Sequence, residues 1–261
     1  MSEELLLKYV GLFVISLIRI SGFFINLPGF GERTVPNRTK AGLSVFMVII
    51  ILPHLVMTQS LPEMPIIGYG FMAMKELTVG LIMGFVVIVS IEALKFAGAL
   101  AGMQIGLSFV QVANPESSAS QAVLAELLQL FSILMFLMLE GHTILTKVLM
   151  ESFDVIPINQ MVFRGTMVEH IVKLTSGIFW LGLQVAMPMI CAVILTDLAL
   201  GIIARTVPRM SVFEIGFAVK IAMGYFMMIV LFPYVSDLVK VLIQKVFGDV
   251  STLMSLMAPV K

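Results

Sequence analysis

The sequence predicts an all-helical integral membrane protein, and three observations carry this prediction. Of its 261 residues, 59% are hydrophobic and only 12% are charged, whereas a soluble domain averages roughly 25% charged residues. The mean hydropathy is +1.07. Apolar windows close to the ~20 residues that cross the hydrocarbon layer recur along the chain. They cover 5–27, 41–58, 66–91, 122–150, 171–203 and 212–235, and two further apolar segments cover 93–110 and 236–257.

Charge and composition exclude several kinds of protein. Sixteen basic residues balance sixteen acidic ones, so there is no basic field that would attract nucleic acid. Cys191 is the single cysteine, which excludes a disulfide framework and a cysteine-based metal site within this chain. The sequence contains no phosphate-binding loop and no H-E-x-x-H zinc motif, and its three histidines are scattered. We therefore expect no catalytic residues, no metal and no cofactor.

The windows suggest six membrane spans, but the loop charges do not support simple alternation. The first window follows two glutamates and is too long for a cleavable signal, so we interpret it as the first membrane helix. If six spans alternate, six basic residues fall on one side and seven on the other. The positive-inside rule predicts a clear excess on one side. An alternating six-span topology is therefore doubtful.

Several charged residues lie inside the apolar windows. They are Arg19, Lys75, Glu76, Glu126, Glu140, Asp197 and Lys220. A charge that faces lipid costs a few kcal/mol, so such residues usually face a bundle interior, a partner chain or water. We predict buried charges at Arg19, Glu76, Asp197 and Lys220. Glu76 fits either a pair with a neighbouring helix or a proton relay. Asp197 and Lys220 fit either an interhelical ion pair or a coupling-ion site.

Glycines recur at helical spacing in two places. Gly98, Gly102 and Gly106 are four residues apart, and Gly80 and Gly84 follow the same spacing. Residues four apart lie on one face of a helix, and glycine lets another backbone approach closely. We expect close helix packing at Gly80, Gly84, Gly98 and Gly102.

The segment that follows these glycines is polar but almost uncharged. From Gln111 through Asn114 and Pro115 to Ser117 it contains one charged residue, Glu116, and the Asn-Pro pair argues against a continuing helix. Such a segment is compatible with membrane depth only inside protein or beside water. It therefore either lines an aqueous cavity or forms an ordinary external loop.

Residues along nearly the whole chain match one family in collinear order. They are the stretch from Arg19 to Pro28, then Pro36, Arg38, Glu76, Gly80, Gly84, Gly98, Gly102, Gln104, Gly106, Pro115, Gly141, His142, Ser152, Pro157, Pro188, Asp197, Gly201, Arg205, Pro208, Met210, Phe213, Gly216 and Lys220. This pattern resembles the FliR family of flagellar type III export-gate proteins. No single motif is specific, but the ensemble is.

The resemblance implies a place in a large membrane assembly. Family members occur as one copy in a spiral export gate of helical hairpins, with several FliP and FliQ subunits and an FlhB switch protein, in the bacterial inner membrane at the flagellar basal body. Residues 1–180 would be the FliP-like part and 181–261 the FliQ-like hairpin. A spiral raised above the membrane plane would also explain the unbiased loop charges.

The resemblance also implies a pore plug. In this family the loop after the helix of Gln104 projects into the pore through which unfolded flagellar proteins are exported. The matching residues here are Gly106, Ser108, Phe109, Gln111, Asn114, Pro115, Glu116 and Ser117, with Phe109 as the apolar stopper. Three alternatives remain, namely the homologous subunit of a virulence secretion system, a membrane-embedded enzyme, and a secondary transporter that uses Glu76, Asp197 and Lys220.

Overall fold

Every regular element in the described part of the chain is an α-helix. The computed structural model describes residues 3–27, 36–106, 123–206 and 212–259. The helices are α1 (Glu3–Ile25), α2 (Asn37–Thr58), α3 (Ile66–Ile105), α4 (Val123–Met138), α5 (Gly141–Val155), α6 (Gly165–Thr206) and α7 (Val212–Met257). Five of them are long and apolar enough to cross a membrane, or six spans result if the bent pair α4–α5 counts as one. The predicted class, an all-α membrane protein, is confirmed.

Two predicted windows differ from the observed helices. The window 122–150 is wrong as a single helix, because α4 and α5 meet at an angle of 69°. The break lies at Glu140, whose φ of 55° puts it in the left-handed region, where an L-residue cannot continue a right-handed helix. The window 66–91 ends too early, since α3 continues to Ile105. The windows 66–91 and 93–110 are separated by Glu92, and Lys95 follows it. Both residues are good helix formers, so these charges mark no helix boundary.

The chain forms two compact units. Unit 1 contains residues 1–89, 140–174 and 243–261. In it, α1 packs along α2, and the buried face of α1 follows helical spacing from Leu12 through Ile15, Arg19 and Ile20 to Phe23. Three segments distant in sequence therefore build one core.

Unit 2 contains residues 90–139 and 175–242. Its core joins the end of α3, the start of α4 and the middle of α6 through Ala101, Ile105, Leu124, Met189 and Val193. Side chains of α7 pack against this cluster. Large apolar side chains on the outer face of α6 are exposed, among them Trp180 (66%) and Leu198 (60%). In a membrane protein, such a surface is suited to lipid or to partner helices.

Candidate functional site

A fully buried ion pair joins α1 to α3 in unit 1. The side chains of Arg19 and Glu76 are both 0% exposed, and Nε and Nη2 of Arg19 each lie 2.5 Å from Oε2 of Glu76. Two charges removed from water cost several kcal/mol each unless they are paired and their remaining hydrogen-bonding groups are satisfied. Two of the four predicted buried charges are therefore in direct contact within one chain.

The arginine also caps the end of α5. Its Nη1 donates to the carbonyl of Ser152 at 3.0 Å and its Nη2 donates to the carbonyl of Ile156 at 2.9 Å. The Cζ atom of Arg19 lies 4.2 Å from the centroid of the Phe153 ring. The last carbonyls of a helix lack intrahelical partners and carry partial negative charge. A guanidinium satisfies them and stacks on the neighbouring aromatic face at the same time.

The second carboxylate oxygen of Glu76 fixes the turn after α5. Oε1 accepts a hydrogen bond from the backbone N–H of Asn159 at 2.9 Å, and Nζ of Lys75 donates to the Asn159 carbonyl at 3.3 Å. Asn159 has a φ of 68°, a conformation that asparagine tolerates better than most residues. Gln59, the residue that follows α2, donates to the Phe153 carbonyl at 3.0 Å and accepts from the Ile158 N–H at 3.2 Å. We call residues 152–159 the α5 turn. Side chains of α1 and α3 hold it, together with Gln59.

Glycines allow the backbones of α1 and α3 to meet beside this pair. A methyl group on Gly80 would overlap the Arg19 carbonyl, and one on Gly84 would lie 2.6 Å from the Phe23 carbonyl. A methyl group on Gly22 of α1 would lie 2.9 Å from the Leu77 carbonyl. These distances are shorter than van der Waals contact, so no other residue fits without movement of a helix. The contact holds α1 and α3 at the separation that the ion pair needs.

Asp197 and Lys220 form a second ion pair, which is only partly buried. In unit 2, Nζ of Lys220 on α7 lies 2.5 Å from Oδ1 of Asp197 on α6. Their side chains are 27% and 44% exposed, respectively, so the burial expected for both is not reached within this chain. Asp197 stays partly exposed because it lies on the exposed outer face of α6, next to the exposed side chains of Leu195 and Leu198. The pair therefore links the two helices but leaves hydrogen-bonding capacity at the surface.

The second glycine set, which contains Gly98, Gly102 and Gly106, lies at the end of α3. A methyl group on Gly98 would lie 2.6 Å from the Leu124 carbonyl of α4, and Gly102 is buried. Gly106 ends the helix with a φ of 89° and donates from its N–H to the Met103 carbonyl at 3.2 Å. Gly106 is the only predicted plug residue within the described part of the chain. The others lie outside the described residues: Ser108, Phe109, Gln111, Asn114, Pro115, Glu116 and Ser117.

Sequence reasoning did not identify the α5 turn or its contacts. Ser152 and Pro157 were part of the family pattern, but neither indicated that backbone carbonyls would receive Arg19. Gln59 and Asn159 lie in breaks between apolar windows, where polar residues are common and carry little information. Among the described residues, no group of three or more His, Cys, Asp or Glu is placed to hold a metal ion.

Comparison with known proteins gives one consistent result. Residues 10–246 match the model of the family described as bacterial export proteins, family 1. The flagellar biosynthetic protein FliR of Bacillus subtilis is 31% identical over 250 residues, which cover 94% of each chain. FliR of Escherichia coli is 28% identical over 256 residues, 97% of each chain. FliR of Aquifex aeolicus is 25% identical over 235 residues, covering 90% of this chain and 89% of its own.

These matches extend over both units and all seven helices rather than over one motif. Together with the long apolar helices, they identify a membrane protein of flagellar biosynthesis and export. The fold class and the resemblance drawn from the residues agree with them. The chain therefore belongs to the FliR family of bacterial export proteins.

Proposed function

We propose that this protein is a non-enzymatic subunit of the flagellar protein-export channel in the bacterial inner membrane, at the flagellar basal body. Its partners would be FliP-like and FliQ-like gate subunits and an FlhB-like switch protein, and its cargo would be unfolded flagellar proteins. The observation that carries this proposal is the match to FliR proteins over nearly the full length of both chains.

Two features of the described residues support a role inside a larger assembly. The outer face of α6 carries exposed apolar side chains, and the Asp197–Lys220 pair lies on this helix. Asp197 is nine residues from the end of α6 at Thr206, about 13 Å along the helix axis. A partly exposed ion pair within an apolar stretch of a helix is costly if it faces lipid. A polar group on a partner helix would complete its hydrogen bonds.

We further propose that the segment from Gly106 to Gln121 plugs the channel. Gly106 provides the left-handed end of α3, and the residues that follow combine small and polar side chains with a single charge, Glu116, and with Phe109. Such a segment can exclude ions through one apolar side chain and still yield to an unfolded polypeptide. The division into a FliP-like part, 1–180, and a FliQ-like hairpin, 181–261, stays part of this proposal.

Two measurements test the proposal. The mass of the detergent-extracted complex that contains this chain should exceed that of a monomer or homodimer, and a free monomer would contradict the assembly. Deletion of residues 110–120 should leave the complex intact and make cells leaky to small ions. Unchanged conductance in an intact complex would contradict the plug. Export of effectors rather than flagellar subunits would favour a virulence secretion system.

A further inference from the structure

The helices α6 and α7 lie side by side and antiparallel in unit 2, in a register that several contacts define. Lys220 of α7 pairs with Asp197 of α6. A methyl group on Gly216 of α7 would lie 3.3 Å from Cδ1 of Leu200 of α6. Further along, both helices line one apolar cleft through Val185, Met189, Met228 and Phe232. Residue numbers on α6 fall as those on α7 rise through these contacts, so one register holds along the pair.

The outward surface of this pair is apolar over the thickness of a bilayer. The register places Ile202 of α6 about level with Ile215 of α7. It places Leu183 of α6 about level with Tyr234 of α7. From Ile215 to Tyr234, α7 rises about 29 Å at ~1.5 Å per residue, and the hydrocarbon core of a bilayer is about 30 Å thick. We call the surface between these two levels the apolar band. Its exposed side chains on α7 include Phe226, Ile229, Val230 and Phe232.

Aromatic side chains with a polar edge lie at one end of the apolar band. Trp180 of α6, the single tryptophan of the chain, is 66% exposed, and Tyr234 of α7 is 51% exposed. The other side of α6 packs on α3 here, since a methyl group on Gly182 would lie 2.6 Å from Cδ1 of Phe96. Tryptophan and tyrosine are enriched at membrane–water interfaces, where the ring meets acyl chains and the N–H or O–H stays hydrated. Their position therefore fits the edge of a bilayer.

Charged side chains lie just beyond both ends of the band. Asp237 and Lys240, which follow Tyr234 on α7, form an ion pair at 2.9 Å and are 76% and 49% exposed. Arg205 is exposed in the last turn of α6, three residues after Ile202. A charge in hydrocarbon costs a few kcal/mol, so these residues are suited to headgroups or water. A bilayer requires this spacing between polar ends, whereas a partner helix does not.

The most exposed part of α7 lies opposite the ion pair within the band. Ile229 is 75% exposed and follows Lys220 by two and a half turns. The two side chains therefore leave opposite sides of α7. Lys220 faces Asp197 of α6, on the side that the proposed function leaves to a partner. Ile229 faces away from that ion pair.

We propose that lipid covers the α7 side of the apolar band. The pair crosses the hydrocarbon core between the level of Trp180 and Tyr234 and the level of Ile202 and Ile215. Trp180 and Tyr234 lie in the membrane–water interface, and Lys240 lies outside it. This inference concerns contact with the membrane and does not depend on the plug.

The test measures the depth of nitroxide labels in the assembled protein. The complex, as extracted with its partners, is reconstituted into vesicles of phosphatidylethanolamine and phosphatidylglycerol. Each variant carries Cys191→Ser and one new cysteine for the label. Collisions with oxygen, which concentrates in hydrocarbon, are compared with collisions with a water-soluble nickel chelate. The label at Ile229→Cys lies roughly 8 Å inside the level of Tyr234 and the one at Lys240→Cys roughly 9 Å outside it.

We expect the ratio of oxygen to nickel collisions to be about tenfold higher at Ile229→Cys than at Lys240→Cys, because hydrocarbon excludes a polar chelate. Lys240→Cys is the matched control, at an exposed position of the same helix. Labels at Trp180→Cys and Tyr234→Cys should give similar, intermediate ratios. This gradient would support both the lipid contact and the position of its boundary.

Two results would overturn the inference. Nickel collisions as frequent at Ile229→Cys as at Lys240→Cys would place the band in water. Few collisions with either reagent at Ile229→Cys would show that a partner helix covers it. If Ile229→Cys fails to assemble, Phe226→Cys, at another exposed position of the band, is judged by the same two results. A monomeric mass of the extracted protein would contradict the proposed function without changing these depths.

Discussion

Removal of the Glu76 carboxylate is the sharpest test of the buried centre. Glu76→Ala leaves the guanidinium of Arg19 without its counter-charge at a site where both side chains are 0% exposed. It also leaves the N–H of Asn159 without its acceptor. Loss of one partner of a buried ion pair typically costs about 4 kcal/mol. The carbonyls of Ser152 and Ile156 still accept hydrogen bonds from Arg19, so the guanidinium loses only part of its hydrogen bonding.

This cost corresponds to a measurable shift in melting temperature. A change of 1 kcal/mol shifts the midpoint by roughly 2–4 °C in a chain of this size, so we expect a decrease of roughly 8–16 °C. The assay is thermal unfolding of the purified detergent-solubilised complex, followed by intrinsic fluorescence. Glu76→Gln keeps a neutral oxygen that can accept from Asn159 and should lower the midpoint less than Glu76→Ala.

The matched control is Glu151→Ala. Glu151 pairs with Lys147 at 3.9 Å on the surface of α5, where the two side chains are 51% and 77% exposed. Exposed pairs of this spacing contribute about 0.5 kcal/mol. The double variant Arg19→Met/Glu76→Met should lower the melting midpoint by less than the sum of the decreases in the two single variants, because it leaves no unpaired buried charge. Equal midpoints for Glu76→Ala and Glu151→Ala would refute the assignment of the buried pair as a stabilising centre.

Three further predictions concern packing, the second charged pair and the C-terminal helix. Gly80→Val should abolish stable accumulation because the Arg19 carbonyl occupies the added volume, whereas Gly70→Val, with open space around it, should accumulate normally on immunoblots. Lys220→Ala should impair co-purification of partner subunits. Lys240→Ala, which removes one partner of an exposed ion pair, should not. Selective loss of ion-coupled uptake in an intact Lys220→Ala complex would instead favour a transporter. Removal of residues 250–261 should expose the unit 1 core to protease, since the last turns of α7 are buried there.

The sequence predicts the helical class and offers an ion pair between Asp197 and Lys220, but it does not indicate that Arg19 meets Glu76. Period and composition identify α1, α2 and α6, because their apolar stretches are bounded by charged or polar breaks. The break at Glu140 depends on one left-handed residue. No hydrophobic pattern encodes such a residue, so the α4–α5 bend was missed.

The charged residues illustrate the same limit. The cost of a charge in an apolar window indicates that Arg19 and Glu76 need partners, and in the structure they pair with each other. The backbone groups that complete this network come from Ser152, Ile156 and Asn159. Backbone carbonyls and N–H groups are present at every position, so their selection is decided by tertiary packing and leaves no signal in residue identity.

The two charged pairs differ in whether their hydrogen-bonding partners all lie within this chain. Arg19 and Glu76 find all their described partners within unit 1, and the adjacent glycines leave no space for another chain between α1 and α3. Asp197 and Lys220 satisfy each other but keep exposed surface on a helix whose outer face is apolar. A variant at the first pair should therefore destabilise the folded chain whether or not partners are present. A variant at the second should fold and fail in assembly, because what it loses is a group that a partner would meet.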